Sequence, residues 1–403
     1  MAGYIMTIGS EEYLELFYAV TASGKPRKRP PNKASSKGEG QQMAKEYALE
    51  LCIKQGTYSA KSSGKGGAFL GTLADYLGMK QGDNIYFFTD RKIYGIGELV
   101  NIADMDCRFA IHNRTTDIPE DDLIQDIDRA SHQFVCFFKP HPFFFRQGID
   151  MDEALTIYPE KIRALRFFSG KTFIKLDDVE NEVIKNLIAR KNEDYLKEYS
   201  EAHHYYHDSS IHEQVEEIIR ANKEDYVLSV FDYLQSKNSG NVTSEYYIEG
   251  AVMDLLRNHV SPSIGKWDFI SRQYPASPPK PSEYVEAMDL FGYRYVEGFP
   301  TAVSKYLVIE LKVGTINKEN VQQTMKYVDW ISREYTGGDY SMIEAYTIGY
   351  DKEESIEENI QDIIERNYII SSRPVTNRKW SNLRILSYMT LLQELKDKND
   401  AAQ

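Results

Sequence analysis

The chain is poor in cysteine, with Cys52, Cys107 and Cys136 its only three among 403 residues. They are far apart, so no CxxC pair for zinc or redox chemistry exists, and an odd count argues against a disulfide framework. No run approaches the roughly 18–20 consecutive apolar residues of a membrane-spanning helix. The richest stretch, Phe134 to Phe145, is interrupted by Lys139, Pro140 and Pro142. The first residues, Met1 to Gly9, have neither the basic start nor the long apolar segment of a secretory signal. A cytoplasmic protein without a membrane segment is therefore expected. An excess of positive charge is also missing. Lys+Arg 48 against Asp+Glu 61 gives −13, which excludes a chain that coats nucleic acid without selection. There is no internal repeat of the period expected for solenoids or propellers.

What is present is an ordinary globular balance, 42% hydrophobic and 27% charged, in a length that suggests two or three domains. The charge is uneven. Residues 21–67 hold 10 basic and 3 acidic residues among many glycines and prolines, and residues 371–384 hold four basic residues and no acid. Loops of this kind suit a polyanion, although a single one is as readily a solvated loop. The candidate nucleic-acid contacts are Lys25, Arg27, Lys28, Arg29, Lys61, Lys65, Arg378 and Lys379. The glycine-rich segment 56–67 is not a nucleotide-triphosphate loop, because Lys65 is followed by glycine and no apolar strand precedes it.

Periodicity predicts helices over 41–54 and 68–77, a hairpin over 82–100 with a Thr-Asp-Arg-Lys turn, and a strand at 133–138. A helix over 177–189 is expected to be capped by Asp177, with Val179, Val183 and Leu187 on one face, and more helix over 211–234. Residues 191–210, with His203, His204 and His207, read as a polar connector. His212 follows soon after, and the four histidines read as solvated rather than as a zinc site. Three regions follow: 1–175, a helical connector at 176–241, and 242–403. The fold class is mixed α+β or α/β and multidomain.

The clearest chemistry lies in Lys305-Tyr-Leu-Val-Ile-Glu-Leu-Lys-Val313. Strand alternation puts Glu310 and Lys312 on one face, with Leu311 opposite. The apolar run 306–309 reads as a strand buried on both sides, where a carboxylate and an ammonium are costly without a purpose. Upstream, Asp289 begins another strand. Before it, the helix Ser244–Arg257 carries Glu245 and Glu249 one turn apart. Downstream, a helix over 321–331 presents Gln323 and Tyr327 at i, i+4. Glu-x-Lys alone would also suit a cross-strand ion pair.

This order resembles the PD-(D/E)xK nuclease superfamily, in the branch with a Gln-xxx-Tyr helix after the Glu-x-Lys strand, such as RecB-type nuclease domains, CRISPR-associated exonucleases and archaeal mismatch endonucleases. The resemblance covers roughly 242–352. Met288 stands where that family usually has proline, and Asp268 and Glu286 are reserve candidates for the aspartate. It implies a restriction-endonuclease-like mixed sheet flanked by helices and hydrolysis of DNA. Mg²⁺ or Mn²⁺ would be held by Asp289, Glu310 and the Leu311 carbonyl, in keeping with the preference of such ions for hard oxygen ligands. Lys312 would position the attacking hydroxide or stabilise transition-state charge. Glu249, or Glu245 as the alternate, would reach the metal or its water shell, and Gln323 and Tyr327 would orient Lys312 or a phosphate.

The segment Gly82-Asp-Asn-Ile-Tyr-Phe-Phe with Tyr-Gly-Ile-Gly-Glu-Leu resembles the central hairpin of PUA-like domains of the EVE and YTH kind. That implies a small β-barrel with helices, in which Tyr86, Phe88 and Tyr94, with Phe134 and Phe138, line a base pocket. All three tryptophans lie outside that region. The combination looks like a modification-dependent restriction or antiphage defence nuclease, with Shedu-type nucleases a second named resemblance. It implies a homo-oligomer, dimer or tetramer, since cutting two strands needs two sites. A non-catalytic reader and an RNA-processing nuclease are the rival readings.

Overall fold

A computed structural model describes residues 1–8, 48–60, 68–102, 105–110, 134–167, 171–197, 207–221, 223, 226–236, 242–278 and 285–402. The chain forms two compact units. The first comprises residues 1–64 and 79–228, and the second 65–78 and 229–403. No helix among the described residues is long and apolar enough to cross a membrane.

The first unit is built on a curled half-barrel sheet. Its strands are β1 (Gly3–Thr7), β2 (Thr57–Ala60), β3 (Asn84–Thr89), β4 (Lys92–Leu99), β5 (Arg108–Ala110), β6 (Phe134–Pro140), β7 (Ile149–Asp150) and β8 (Phe173–Leu176). They run in the order β2-β6-β4-β3-β1-β8, with β5 on β6 and β7 on β4. The expected hairpin is β3–β4. Asp90 and Arg91 at its turn both have positive φ, 48° and 61°, the two-residue geometry whose twist matches that of the strands. Every residue of β3 is buried, so both of its faces are covered.

The base pocket is not what those aromatics form. Tyr86 is fully buried, and its hydroxyl donates to Asn181 Oδ1 at 2.7 Å. Phe88 packs in the same cluster with Ile5, Ile93 and Ile184. Tyr94 pairs directly across from Phe87, which puts it on the opposite face of the sheet from Tyr86 and Phe88. On the Phe87 face, Tyr58, Phe138 and Phe145 close round the ring at centroid distances of 6.1, 5.6 and 6.0 Å. Gly95, at φ +81°, admits Phe145, whose ring would lie 1.9 Å from a Cβ there. Phe134 is likewise core.

The expected connector, 176–241, divides: its residues up to Leu228 belong to this unit and those from Ser229 to the second. Helix α2 (Asp178–Lys191) follows α1 (Ala68–Leu77) in chain order and is capped by Asp177, with Glu180 completing the capping box. It lays Val183, Ile184, Leu187 and Ile188 on the sheet. Val179 faces outward, 56% exposed, so the apolar face is offset from the expected one. Helix α3 (Ser209–Ala221) buries Ile211, Val215 and Ile219 against Val135 and Phe137. The helix expected over 211–234 is interrupted, resuming at Val230–Ser236. His207 and His212 meet edge to face with centroids 5.2 Å apart, and His212 Nε2 is 3.0 Å from the Gly56 carbonyl. Neither is a solvated side chain, and burial holds both below the usual histidine range. His203 and His204 lie outside the described residues.

The second unit is a separate mixed sheet flanked by helices. Its strands are β9 (Phe269–Pro275), β10 (Ala287–Val296), β11 (Phe299–Leu311), β12 (Ile343–Gly349) and β15 (Leu383–Ser387), in the order β15-β12-β11-β10-β9. β9, β10 and β11 are antiparallel in turn, and β11, β12 and β15 are parallel. Leu307, Val308 and Ile309 are fully buried, as their continuous apolar run requires of a strand covered on both sides. Helix α4 (Glu245–Arg257) is capped by the Ser244 hydroxyl and packs on β9 and β11. Helix α5 (Lys318–Glu334) starts at an Asn317–Asn320 capping box and packs on β11 and β12. Helix α6 (Tyr388–Ala402) follows β15. The helix α1 belongs here too, packed against α4, although its sequence lies between two strands of the first unit. β13 (Arg366–Ser372) and β14 (Val375–Trp380) form a separate hairpin.

Candidate active site

Four elements of the second unit bring carboxylates and a lysine together. Asp289, near the start of β10, is buried, and its Oδ2 accepts from the Leu311 main-chain N–H at 2.7 Å. That bond ties the β10 aspartate to the C-terminal end of β11, where Glu310 is 1% exposed. Glu310 Oε1 accepts from Lys312 Nζ at 2.7 Å, while Oε2 is buried with no N–H to fill it. The carboxyl lies within hydrogen-bond reach of the Asp289 carboxyl, a contact that needs a proton on one of the two. The alternation argument for Glu310 and Lys312 thus has its contact. Two acids packed this deep beside a single lysine are costly to bury.

Helix α4 gives each of its two glutamates a different place. Glu249 is buried and held on both oxygens. Arg272 Nε donates to Oε2 at 2.9 Å and Gln273 Nε2 to Oε1 at 2.9 Å. The same Gln273 amide donates to Asp289 Oδ1 at 3.1 Å. Glu245, one turn earlier and partly exposed, lies 3.5 Å from Lys312 Nζ. Behind Glu249, Arg272 Nη1 reaches Asp75 Oδ2 on α1 at 3.0 Å, closing a buried Glu249–Arg272–Asp75 triad. Gly71 makes room for it, since a Cβ there would stand 2.6 Å from Arg272 Nη2.

On α5, Gln323 Nε2 donates to the Tyr327 hydroxyl at 3.2 Å, the i, i+4 contact their spacing predicts. Neither has a described bond to Lys312. Burial, with the charges of Glu310, Asp289 and Glu286 adding, pushes the Tyr327 phenol up to about 12. It is therefore a neutral hydroxyl facing the carboxylates. Glu286 is exposed at this rim, 3.6 Å from Lys326. Asp268 is at the far end of β9, accepting from Tyr295 N at 2.7 Å, and takes no part.

The electrostatics follow from this crowding. Burial raises Asp289 well above the carboxylate range, and the charges of Glu310 and Glu249 push it further. Burial raises Glu310 too, against the pull of Lys312. For Lys312, burial acts downward, but the hydrogen bond and charge of Glu310, with Glu245 and Asp289, outweigh it, and the ammonium is held above its usual range. Asp289, raised by burial and by the charges of Glu310 and Glu249, and the buried Glu310 beside it form a donor set that fits a hard divalent cation. Among the described residues no ready-made group of three or more His, Cys, Asp or Glu side chains is arranged to hold a metal. The fit rests instead on two carboxylates, Asp289 and Glu310, and the expected Leu311 carbonyl.

The remaining candidates stand elsewhere. Lys25, Arg27, Lys28, Arg29, Lys61 and Lys65 lie outside the described residues. Arg378 and Lys379 are exposed on β14, with Lys379 2.9 Å from Glu365. That hairpin is pinned where Trp380 Nε1 meets the Ile343 carbonyl at the start of β12, whereas Glu310 and Leu311 pair with Thr347 and Ile348 near its end. Five residues of strand separate the two ends, about 16 Å. Sequence reading missed Arg272, Gln273, Asp75 and Gly71. Only Arg272, the one charged residue in the β9 sequence Phe-Ile-Ser-Arg-Gln-Tyr-Pro, could have hinted at them. Searches of protein-family models, curated proteins and solved structures found no match to this chain.

Proposed function

We propose that the chain is a metal-dependent endonuclease of the PD-(D/E)xK kind that hydrolyses phosphodiester bonds of DNA. The observation that carries this reading is the buried Glu310 carboxyl, held by Lys312 on one oxygen and set against the carboxyl of a raised Asp289. Asp289, Glu310 and the Leu311 carbonyl would hold Mg²⁺ or Mn²⁺. When bound, such an ion supplies an activated water and neutralises charge on the leaving oxygen.

The chain's own residues do the rest. Lys312 keeps its proton, because the surrounding carboxylates hold its pKa up, and so acts as a fixed positive charge toward a phosphate rather than as a base. Glu245 steadies that ammonium from α4. Gln323 and Tyr327 present neutral hydrogen-bonding groups at the edge of the site, suited to orienting a phosphate oxygen. The acid-poor segment 21–67 supplies positive charge on an otherwise acidic chain for holding the polyanion. Cutting both strands calls for two copies of the site, hence a homo-oligomer.

The test is Mg²⁺-dependent cleavage of plasmid, linear and modified phage DNA by wild type and Lys312→Ala. Cleavage by wild type alone, with DNA binding kept in Ca²⁺, is expected. Equal cutting by both proteins would reject the site, and cutting of structured RNA in place of DNA would move the reading to RNA processing.

A further inference from the structure

Gln273 has a backbone that its place in a strand does not explain. Its φ is +48°, in the left-handed region, in the middle of β9. The β9–β10 ladder runs in register on both sides, Met288 with Tyr274 and Leu290 with Arg272, and omits only the pair between, Asp289 with Gln273. In a regular strand, neighbours point to opposite faces, so Arg272 and Gln273 could not both reach one side chain. Here they do: Arg272 takes one oxygen of Glu249 and Gln273 the other. The left-handed turn makes that possible, and the remaining amide hydrogen then reaches Asp289.

We infer that Gln273 is a positioning residue, whose amide ties Glu249 of α4 and Asp289 of β10 into one preorganised carboxylate set for a divalent cation. The inference rests on the metal-site reading above. The residue type fits the task. A lysine or arginine at this point would cancel the negative charge a cation needs, whereas a neutral amide with two donors orients both carboxylates and leaves their charge in place. Local strain at a buried polar cluster, where no turn demands it, is what a geometric requirement of the site produces.

The test uses the full chain and two substitutions that accept positive φ, Gln273→Gly and Gln273→Asn. Glycine removes the side chain, and asparagine is too short to span both carboxylates. Mn²⁺ affinity is measured by titration calorimetry and by the electron paramagnetic resonance signal of free Mn²⁺, and melting temperature is measured without metal. Both variants are expected to keep a cooperative melting transition, lowered by the carboxylate oxygens left without the amide, while binding Mn²⁺ about 10–100-fold more weakly. Wild-type Mn²⁺ affinity in either variant overturns the inference and leaves the metal site standing. Should wild type bind no Mn²⁺, or bind it no better than Glu310→Gln, the metal-site reading fails and the positioning role with it.

Discussion

Glu180 in the first unit and Glu310 in the second are the same residue type at the same depth, 0% and 1% exposed, and the fold treats them in opposite ways. Glu180 completes a helix cap and accepts from the main-chain N–H groups of Arg163, Ala164 and Asp177, the last two at 2.6 and 3.1 Å. Its oxygens are spent on holding the α2 N-terminus to the preceding turn. Glu310 gives one oxygen to Lys312, has no N–H donor on the other, and lies against the Asp289 carboxyl, with the charge of Glu245 raising it further. The first arrangement secures the fold, whereas the second weakens it in the absence of a ligand. Burial raises both, Glu180 to about 8 with the charge of Asp177 adding, so what separates them is their partners: main-chain donors for the first, a lysine and a second acid for the other.

That contrast can be broken at several points. The largest expected effect is at the triad behind the site. Asp75→Ala leaves Arg272 buried with Glu249 alone and should cost about 3–5 kcal/mol in chemical denaturation. Next, Lys312→Ala should lower the cleavage rate by about 10²–10³-fold with little change in the denaturation midpoint, since Lys312 is partly exposed and acts on charge rather than packing. Glu180→Ala strands three N–H groups and should destabilise the chain by about 1–3 kcal/mol while leaving Mn²⁺ binding unchanged.

The smallest effect has the opposite sign. Asp289→Asn should raise the metal-free melting temperature at neutral pH by about 2–4 °C and abolish stabilisation by Mn²⁺. Asp289 is raised in the folded state, so above its ordinary value of 3.8 the folded chain holds a proton that the unfolded chain releases. Stability therefore falls as pH rises through that window, and the advantage of the asparagine variant should fade as pH approaches about 4. Melting curves of both proteins across pH 4–8 check this.

Much of the second unit was legible because short-range rules governed it. The apolar run 306–309 announced a doubly covered strand, alternation paired Glu310 with Lys312, and i, i+4 spacing paired Gln323 with Tyr327. What joins Asp75 to Arg272 is a contact across 197 residues, carried by a helix embedded in the sequence of the other unit, and no local pattern reports it. Nothing local in the sequence announces the positive φ of Gln273, whose amide meets two carboxylates brought from other elements. In the first unit the hairpin and its turn were legible. The role of its aromatics was not, since pairing Tyr94 with Phe87 separates it from Tyr86 and Phe88, and Asn181 on α2 occupies the Tyr86 hydroxyl. Val179 was misplaced because the buried face of α2 follows residues 183–184 and 187–188 rather than every fourth residue from 179.

The central claim is that Asp289 and Glu310 serve a cation in breaking phosphodiester bonds. Supercoiled plasmid incubated in Mg²⁺ with wild type and with Glu310→Gln, each also scored for DNA binding in Ca²⁺, tests it most directly. The account predicts that wild type nicks or linearises the plasmid and that Glu310→Gln binds it and leaves it closed. Equal cleavage by the two proteins, or binding without cleavage by both, would contradict it.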